Sequence, residues 1–221
     1  MAAGCMIRLD ERLSTVAGLF PVSENGADIG ADHGRLACYL LQSGKCKHMI
    51  VSDISTASLE KAKTLLSRFA LDERVTFVVA DGFDALCRPV GAAAVCGMGG
   101  KTIAAMLETN PAPAGNSDLI LSAHTELPRL RAALMNCHYA IVREVIACSG
   151  GRFYHVLHAR HGQNNYTDKQ IKIGAALTSK DPQDLLRYYQ WKLGLQERKR
   201  PRDEQVINWL REEIAACHSY A

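Results

Sequence analysis

Between Gly26 and Cys137 short β-prone runs alternate with stretches of helical spacing, and this alternation restricts the chain more than any other feature of its sequence. The runs Ala27 to Gly30, His48 to Asp53, Val75 to Val79, Ala92 to Cys96 and Asp118 to Ser122 predict five strands. Apolar residues recur at helical intervals in Arg35 to Leu41, Ser55 to Phe69, Lys101 to Glu108 and Glu126 to Cys137, and Pro111, Pro113 and Gly115 mark a loop. Strands joined through helices must cross over and run parallel, so the pattern predicts an α/β fold with a mostly parallel sheet. An amphipathic helix from Arg8 to Phe20, with Leu9, Leu13, Val16, Ala17 and Phe20 on one face, precedes this cycle and is closed by Pro21.

After Cys137 the order changes. Tyr139 to Ala147 and Phe153 to Ala159 are strand-like and are joined by Ser149-Gly150-Gly151, which predicts an antiparallel hairpin completing a seven-stranded sheet. Beyond His161 strand signals stop. Thr167 to Ala221 reads as helices, with Leu185, Leu186, Tyr189 and Leu193 on one face, Val206, Leu210, Ile214 and Cys217 on another, and a turn near Gln196 to Asp203. The expected organisation is a sheet domain over residues 1–162 and a small helical hairpin domain over 163–221.

The 221 residues are 48% apolar and 22% charged, with no run of eighteen apolar residues, so no membrane span is expected. Met1 to Asp10 holds no signal-peptide core, and a cytoplasmic location is expected. The eight cysteines (5, 38, 46, 87, 96, 137, 148 and 217) form no C-x-x-C pair and read as reduced thiols. A net charge of +3 permits a polyanionic partner without identifying one. His155, His158 and His161 are the nearest approach to a metal set, but they fall on and after a strand-like run, so no metal is expected.

The chemistry is concentrated at the strand ends. Asp28-Ile29-Gly30-Ala31-Asp32-His33-Gly34 follows the first strand, where glycine lets backbone approach a ligand closely. A dinucleotide fingerprint needs small residues where Asp32 and Arg35 stand, and a pyrophosphate would face the Asp32 carboxylate, so a nicotinamide dehydrogenase is disfavoured. A phosphate-free, positively charged sulfonium ligand tolerates these carboxylates, and S-adenosylmethionine fits. Asp53, followed by Ile54, ends the second strand where an α/β sheet places an acceptor for ribose hydroxyls, and Asp81-Gly82 lies past the third, suited to an adenine edge. The cofactor set is therefore Asp28, Ile29, Gly30, Asp53, Ile54, Asp81, Gly82 and Gly97. Asp and Gly also end strands for turn reasons alone, so the weight lies in their joint occurrence. Cys96-Gly97-Met98-Gly99-Gly100 ends the fourth strand and clears space for a flat substrate.

With these residues in hand the chain resembles the bacterial tRNA (adenine(22)-N1)-methyltransferase family. The resemblance is carried by Arg8-Leu9 to Val16-Ala17, Asp28-Ile29-Gly30 with Asp32-His33, Asp53, Asp81-Gly82, Gly97-Met98-Gly99-Gly100 and Gly151-Arg152-Phe153-Tyr154. It implies a Rossmann-like class I methyltransferase domain, a coiled-coil-like helical domain that helps grip tRNA, S-adenosyl-L-methionine as methyl donor, and N1 of a tRNA adenine as acceptor. The chain departs from the family's usual Tyr and Pro at Arg35 and Ala37, and from its Gln-Pro-Asn at Ser122-Ala123-His124. Asp32, His33, Gly97, Met98 and Gly99 are the candidates beside the reacting base. Arg35, His124, Arg198, Lys199, Arg200 and Arg202 are the candidates for contact with tRNA. Phe83, Phe153 and Tyr154 are candidate stacking rings, and Phe153 and Tyr154, as strand neighbours, face opposite sides. The residues alone leave open a methyltransferase for another RNA or a small molecule, or a non-catalytic binding protein of the same fold.

Overall fold

The computed structural model describes residues 6–110 and 117–219; Cys5 and the loop residues Pro111, Pro113 and Gly115 lie outside the described residues. Five strands alternate with helices except between β3 and β4, which a short 3-10 turn at Gly82–Ala85 joins: α1 (Glu11–Leu19), β1 (Ser23–Ile29), α2 (Arg35–Gln42), β2 (Cys46–Asp53), α3 (Thr56–Arg68), β3 (Val75–Val79), β4 (Ala92–Cys96), α4 (Gly100–Thr109), β5 (Asp118–Ala123) and α5 (Leu127–Asn136). The hairpin β6 (Tyr139–Ser149) and β7 (Arg152–His161) follows, then α6 (Asp168–Ile173), β8 (Thr178–Ser179), α7 (Pro182–Arg198) and α8 (Glu204–Ser219).

The sheet runs β3-β2-β1-β4-β5-β7-β6-β8. Strands β1 to β5 are mutually parallel, and β7 joins β5 antiparallel, pairing Leu121 with Leu157. The sheet has eight strands where the sequence predicts seven. Thr178 and Ser179 pair in parallel with Val145 and Ile146 of β6. Two residues are too few to show a period, and they pair because β6 otherwise presents an open edge.

Each inner strand serves two cores. In β4, Ala92 and Ala94 face a layer built with Val16 of α1, Leu40 of α2 and Leu66 of α3. Ala93 and Val95 face the opposite layer, with Ile103 of α4 and Leu130 of α5. Strand side chains alternate between faces, so a strand covered on both sides reads as continuously apolar. A third cluster joins Ile146 of β6 to Tyr188, Tyr189, Val206 and Leu210, so the helical pair shares a core with the hairpin.

Between hairpin and helices lies a buried polar group. Arg131 of α5 grips Glu144 of β6 with two hydrogen bonds, 3.1 Å from Nε and 2.6 Å from Nη2, and donates a third to the Ile171 carbonyl at 2.9 Å. His155 Nδ1 is 2.6 Å from Glu144, and its Nε2 is 2.8 Å from the Tyr188 hydroxyl of α7. Burial alone would raise the Glu144 carboxyl, yet the charge of Arg131 and the bond from His155 hold it down at about 2. Burial lowers His155, and the neutral ring donates from Nδ1 and accepts the tyrosine proton at Nε2.

Breaking a buried pair leaves one charge without compensation. Arg131→Met is expected to destabilise the fold by about 3–5 kcal/mol, measured by urea unfolding at pH 7. Glu144 is held below its unfolded value, so its stabilisation is present above about pH 4.5 and is lost as pH falls toward 2. The unfolding free energy of Glu144→Gln, measured by urea at several pH values, should therefore vary less steeply with pH over that range.

Candidate active site

The strand order reverses at β1, which pairs with β2 on one side and β4 on the other, and open α/β sheets bind ligands at such a point beyond the carboxyl ends. A cavity of about 490 Å³ lies there. Asp28 and Gly30 from β1, Asp53 and Ile54 from β2, Asp81 and Gly82 after β3, and Cys96, Gly97 and Met98 after β4 all line it. Gly30 (φ +68°) and Gly97 (φ +80°) hold left-handed conformations that side chains resist. At Gly30 a Cβ would also come within 2.3 Å of the Met98 methyl, so glycine there leaves room for the methionine that walls the cavity.

Two carboxylates organise the surrounding turns. The N-cap of α2 is Gly34 (φ +65°), which has no side chain to satisfy the helix's first N–H groups. Asp28, 2% exposed, does so instead by accepting from the Ala37 N–H at 3.2 Å. The bond requires a residue with a free N–H at this position, which Ala37 supplies. Asp53 accepts from Ser55 N–H at 2.8 Å with one oxygen and from Asp32 N–H at 3.0 Å with the other. Each carboxylate oxygen keeps a further lone pair for a ligand hydroxyl. Burial raises Asp28 to about 7; the Ala37 bond opposes this, Asp53 adds to it and Arg12 opposes it.

At the mouth Asp32 (φ +48°) turns the chain, and its carboxylate lies 2.5 Å from His33 Nδ1, both side chains exposed. Arg35 also lines the cavity and donates to the Arg8 carbonyl at 2.5 Å. Five carboxylates (Asp10, Asp28, Asp32, Asp53, Asp81) face the cavity against Arg12 and Arg35. Such a lining favours a cationic ligand without phosphate.

The other expected residues are placed elsewhere. Ile29 is buried in the core beneath the site. Gly99 is the N-cap of α4 and faces Thr125, and the Gly100 N–H donates to the Thr125 carbonyl at 3.0 Å. His124 lines a second cleft with Lys199. Arg198, Arg200 and Arg202 donate to carbonyls of Gly194, Glu197 and Lys199 within their own turn. Phe83 is core, and Phe153 packs on Tyr188 and Trp191. Tyr154 lies outside the cavity lining, with Arg12 5.4 Å above its ring and His124 against its edge at 5.8 Å. Asp10 and Arg12 also line the cavity, although neither stands at a strand end. Their signal is Asp10 as an N-cap, accepting from Leu13 N–H at 2.8 Å, but a capping residue does not show which strand ends its helix lies over.

His155, His158 and His161 are engaged with Glu144, Asp118 and the Tyr139 ring respectively. Among the described residues no three of His, Cys, Asp and Glu are grouped to hold a metal ion, and no helix is long and apolar enough to cross a membrane.

Comparison with known proteins matches residues 9–157 to a methyltransferase domain family. The tRNA (adenine(22)-N(1))-methyltransferase of Bacillus subtilis is 30% identical over 173 residues, covering 77% of this chain and 73% of that one. The crystal structure of the B. subtilis m1A22 tRNA methyltransferase TrmK superposes with a TM-score of 0.71 at 24% identity, covering 96% of this chain and 98% of that one. M. capricolum TrmK in complex with S-adenosylhomocysteine superposes with a TM-score of 0.74 at 21% identity, covering 98% of each chain; these two likenesses speak for the fold. The matched domain carries the whole of the cavity from Asp10 to Met98, and by that match and the Bacillus relative this chain belongs to the tRNA (adenine(22)-N1)-methyltransferase family.

Proposed function

We propose that this protein transfers a methyl group from S-adenosylmethionine to N1 of an adenine in tRNA, the adenine at position 22, in the cytoplasm. The observation that carries the reading is the convergence of Asp28, Asp53 and Asp81, from successive strand ends, on one cavity beside the Gly97-Met98 turn. The acidic lining suits a donor that carries positive charge and no phosphate, and glycines at 30 and 97 open its floor. In this reading Asp53 receives ribose hydroxyls, Asp81 and Gly82 flank the adenine of the donor, and Asp28 with Gly30 faces its amino-acid end. S-adenosylmethionine, when bound, supplies an electrophilic methyl group carried on a sulfonium.

Adenine N1 has a free lone pair at neutral pH, so the protein needs no strong base. Its residues must hold the reactants in line, worth several kcal/mol of barrier, and receive the positive charge gained by the alkylated base. Asp32, with His33 hydrogen-bonded to it, stands at the mouth where a carboxylate meets that charge. The Gly97-Met98 backbone shapes the slot, and Gly99 keeps the adjoining turn close. Tyr154, held between Arg12 and His124, offers a ring face to a base withdrawn from its stack. Residues 1–162 carry the transfer, and 163–221 supply the grip on tRNA.

Incubation with labelled S-adenosylmethionine and an unmodified tRNA transcript should place label as N1-methyladenosine at position 22, and a transcript with guanine there should take none. Label at another nucleotide would refute the assigned target. Asp32→Asn keeps a residue tolerant of the left-handed turn while removing the charge. It should lower kcat by about tenfold to a hundredfold with donor affinity near wild type; unchanged kcat would remove Asp32 from the reaction.

Asp28 supplies a pH test. Its carboxyl is raised to about 7 in the fold, so its contribution to stability is full below pH 4 and is lost as pH rises through 7. A cationic donor prefers the ionised form, so affinity should rise by up to about tenfold between pH 6 and 8. In Asp28→Asn that rise should disappear; titration calorimetry of both proteins with S-adenosylmethionine checks it.

A further inference from the structure

A cavity larger than the one at the strand ends lies elsewhere. A cleft of about 830 Å³ opens between the end of the β6–β7 hairpin and the helical pair. Its cations are Arg152, Lys172, Lys192 and Lys199. Lys172 is paired with Asp168 at 3.1 Å and Asp203 at 3.0 Å. Arg152, Lys192 and Lys199 make no salt bridge among the described residues.

Half-buried Lys192 stands in an unfavourable place. Burial and the positive charges of Arg131 and Lys199 lower its pKa, and Glu126 on the facing wall and Glu144, already bound to Arg131, oppose this only in part. Gathering cations around a desolvated ammonium costs free energy that an anion entering the cleft returns. Beside it Trp191 is 45% exposed although its ring is held 5.5 Å from Phe153 and 6.0 Å from Tyr188. A ring held from behind with accessible surface is a ready platform for a flat ligand, and bases stack on such rings whatever their sequence.

We propose that this cleft seats the RNA strand adjoining the target base, with Trp191 stacking on a nucleobase and Arg152, Lys192 and Lys199 holding its phosphates. The proposal rests on the tRNA-methyltransferase reading above and names the part of the RNA and the residues that receive it. It also fits the spacing of the two cavities. His124 and Thr125 end the cleft, and Thr125 accepts from Gly100 N–H at 3.0 Å, so one turn separates the seated strand from Gly97 and Met98. The arginines at the tip of the helical pair brace their own turn, and the grip moves from the tip to the cleft wall.

The test uses full-length protein and an unmodified tRNA transcript. In a Trp209→Phe background Trp191 reports alone, and RNA should quench its fluorescence. Arg152→Gln, Lys192→Gln and Lys199→Gln combined should weaken tRNA binding by about tenfold or more and flatten the plot of log affinity against log salt by about two units. S-adenosylmethionine affinity should stay at wild type, which reports an intact fold. Arg198→Gln, Arg200→Gln and Arg202→Gln combined should change the slope less.

Wild-type tRNA affinity and salt slope in the cleft variant would overturn the proposal, as would an unquenched Trp191. The same holds if the cleft closes against a second copy of the chain, seen as a concentration-dependent mass with RNA binding unchanged in the variant. Quenching with the expected losses but no methyl transfer would refute the enzyme reading and keep the cleft. Methyl transfer with an indifferent cleft variant would do the reverse, and a wild-type protein that binds no tRNA would refute both.

Discussion

The reversal of strand order at β1 is the constraint on which the site depends. Connections leave the adjacent strands β1 and β4 in opposite directions, toward β2 and toward β5, so none covers the crevice between their carboxyl ends. An open crevice exposes the first N–H groups of the following helix and the backbone of its turns. Asp28 and Asp53 meet that need from within the strands, binding Ala37, Ser55 and Asp32. The carboxylates that suit a cationic nucleoside therefore also hold the turns that shape its cavity. This double use explains why Asp28 is nearly inaccessible and yet lines the cavity.

The helical pair is fixed to this framework by chemistry of another kind. The group formed by Arg131, Glu144, His155 and Tyr188 runs from α5 through both hairpin strands to α7. A buried ion pair adds little net stability relative to apolar packing, but its geometry is demanding and tolerates few alternative placements. It sets α7 against the hairpin at Tyr188, one turn from Trp191 and Lys192. The walls of the cleft are therefore placed from the protein interior, not by contacts at the exposed tip.

What the sequence discloses follows the range of the forces involved. Strand β4 stands residue for residue where its β-prone run places it, because a doubly covered strand must be apolar throughout, and the edge strand β3 does so on the strength of its β-branched residues. The cavity residues Asp28, Asp53, Asp81 and Gly97 are legible because each sits at or just past the end of its own strand. Asp10 and Arg12 reach the same cavity from a helix packed over the sheet, a placement no local pattern records. The strand pattern shows that Phe153 and Tyr154 part company, but which of them turns toward Arg12 depends on the partner strand. Likewise β8 exists only because β6 offers an edge, and the cleft brings residues near 125 and 152 to the end of α7 at 192 and 199, three stretches distant in sequence.

The two cavities carry opposite charge across a single turn. One is lined by five carboxylates and two arginines, the other by four cations with Glu126 and Asp203. A cavity that welcomed both a cationic donor and a polyanion would serve neither well, since the field attracting one repels the other. Separation solves this, but only if the target base crosses from the basic side to the acidic side while its phosphates stay behind. The turn holding Gly99, Gly100 and Thr125 stands between the two cavities. A Cβ at Gly100 would lie 2.5 Å from the Thr125 carbonyl and 2.7 Å from that of Glu126, so any larger residue would force the turns apart. Glycine there keeps the partition between the acidic and the basic side one turn thick, so a donor and a polyanion held in separate fields lie close to each other.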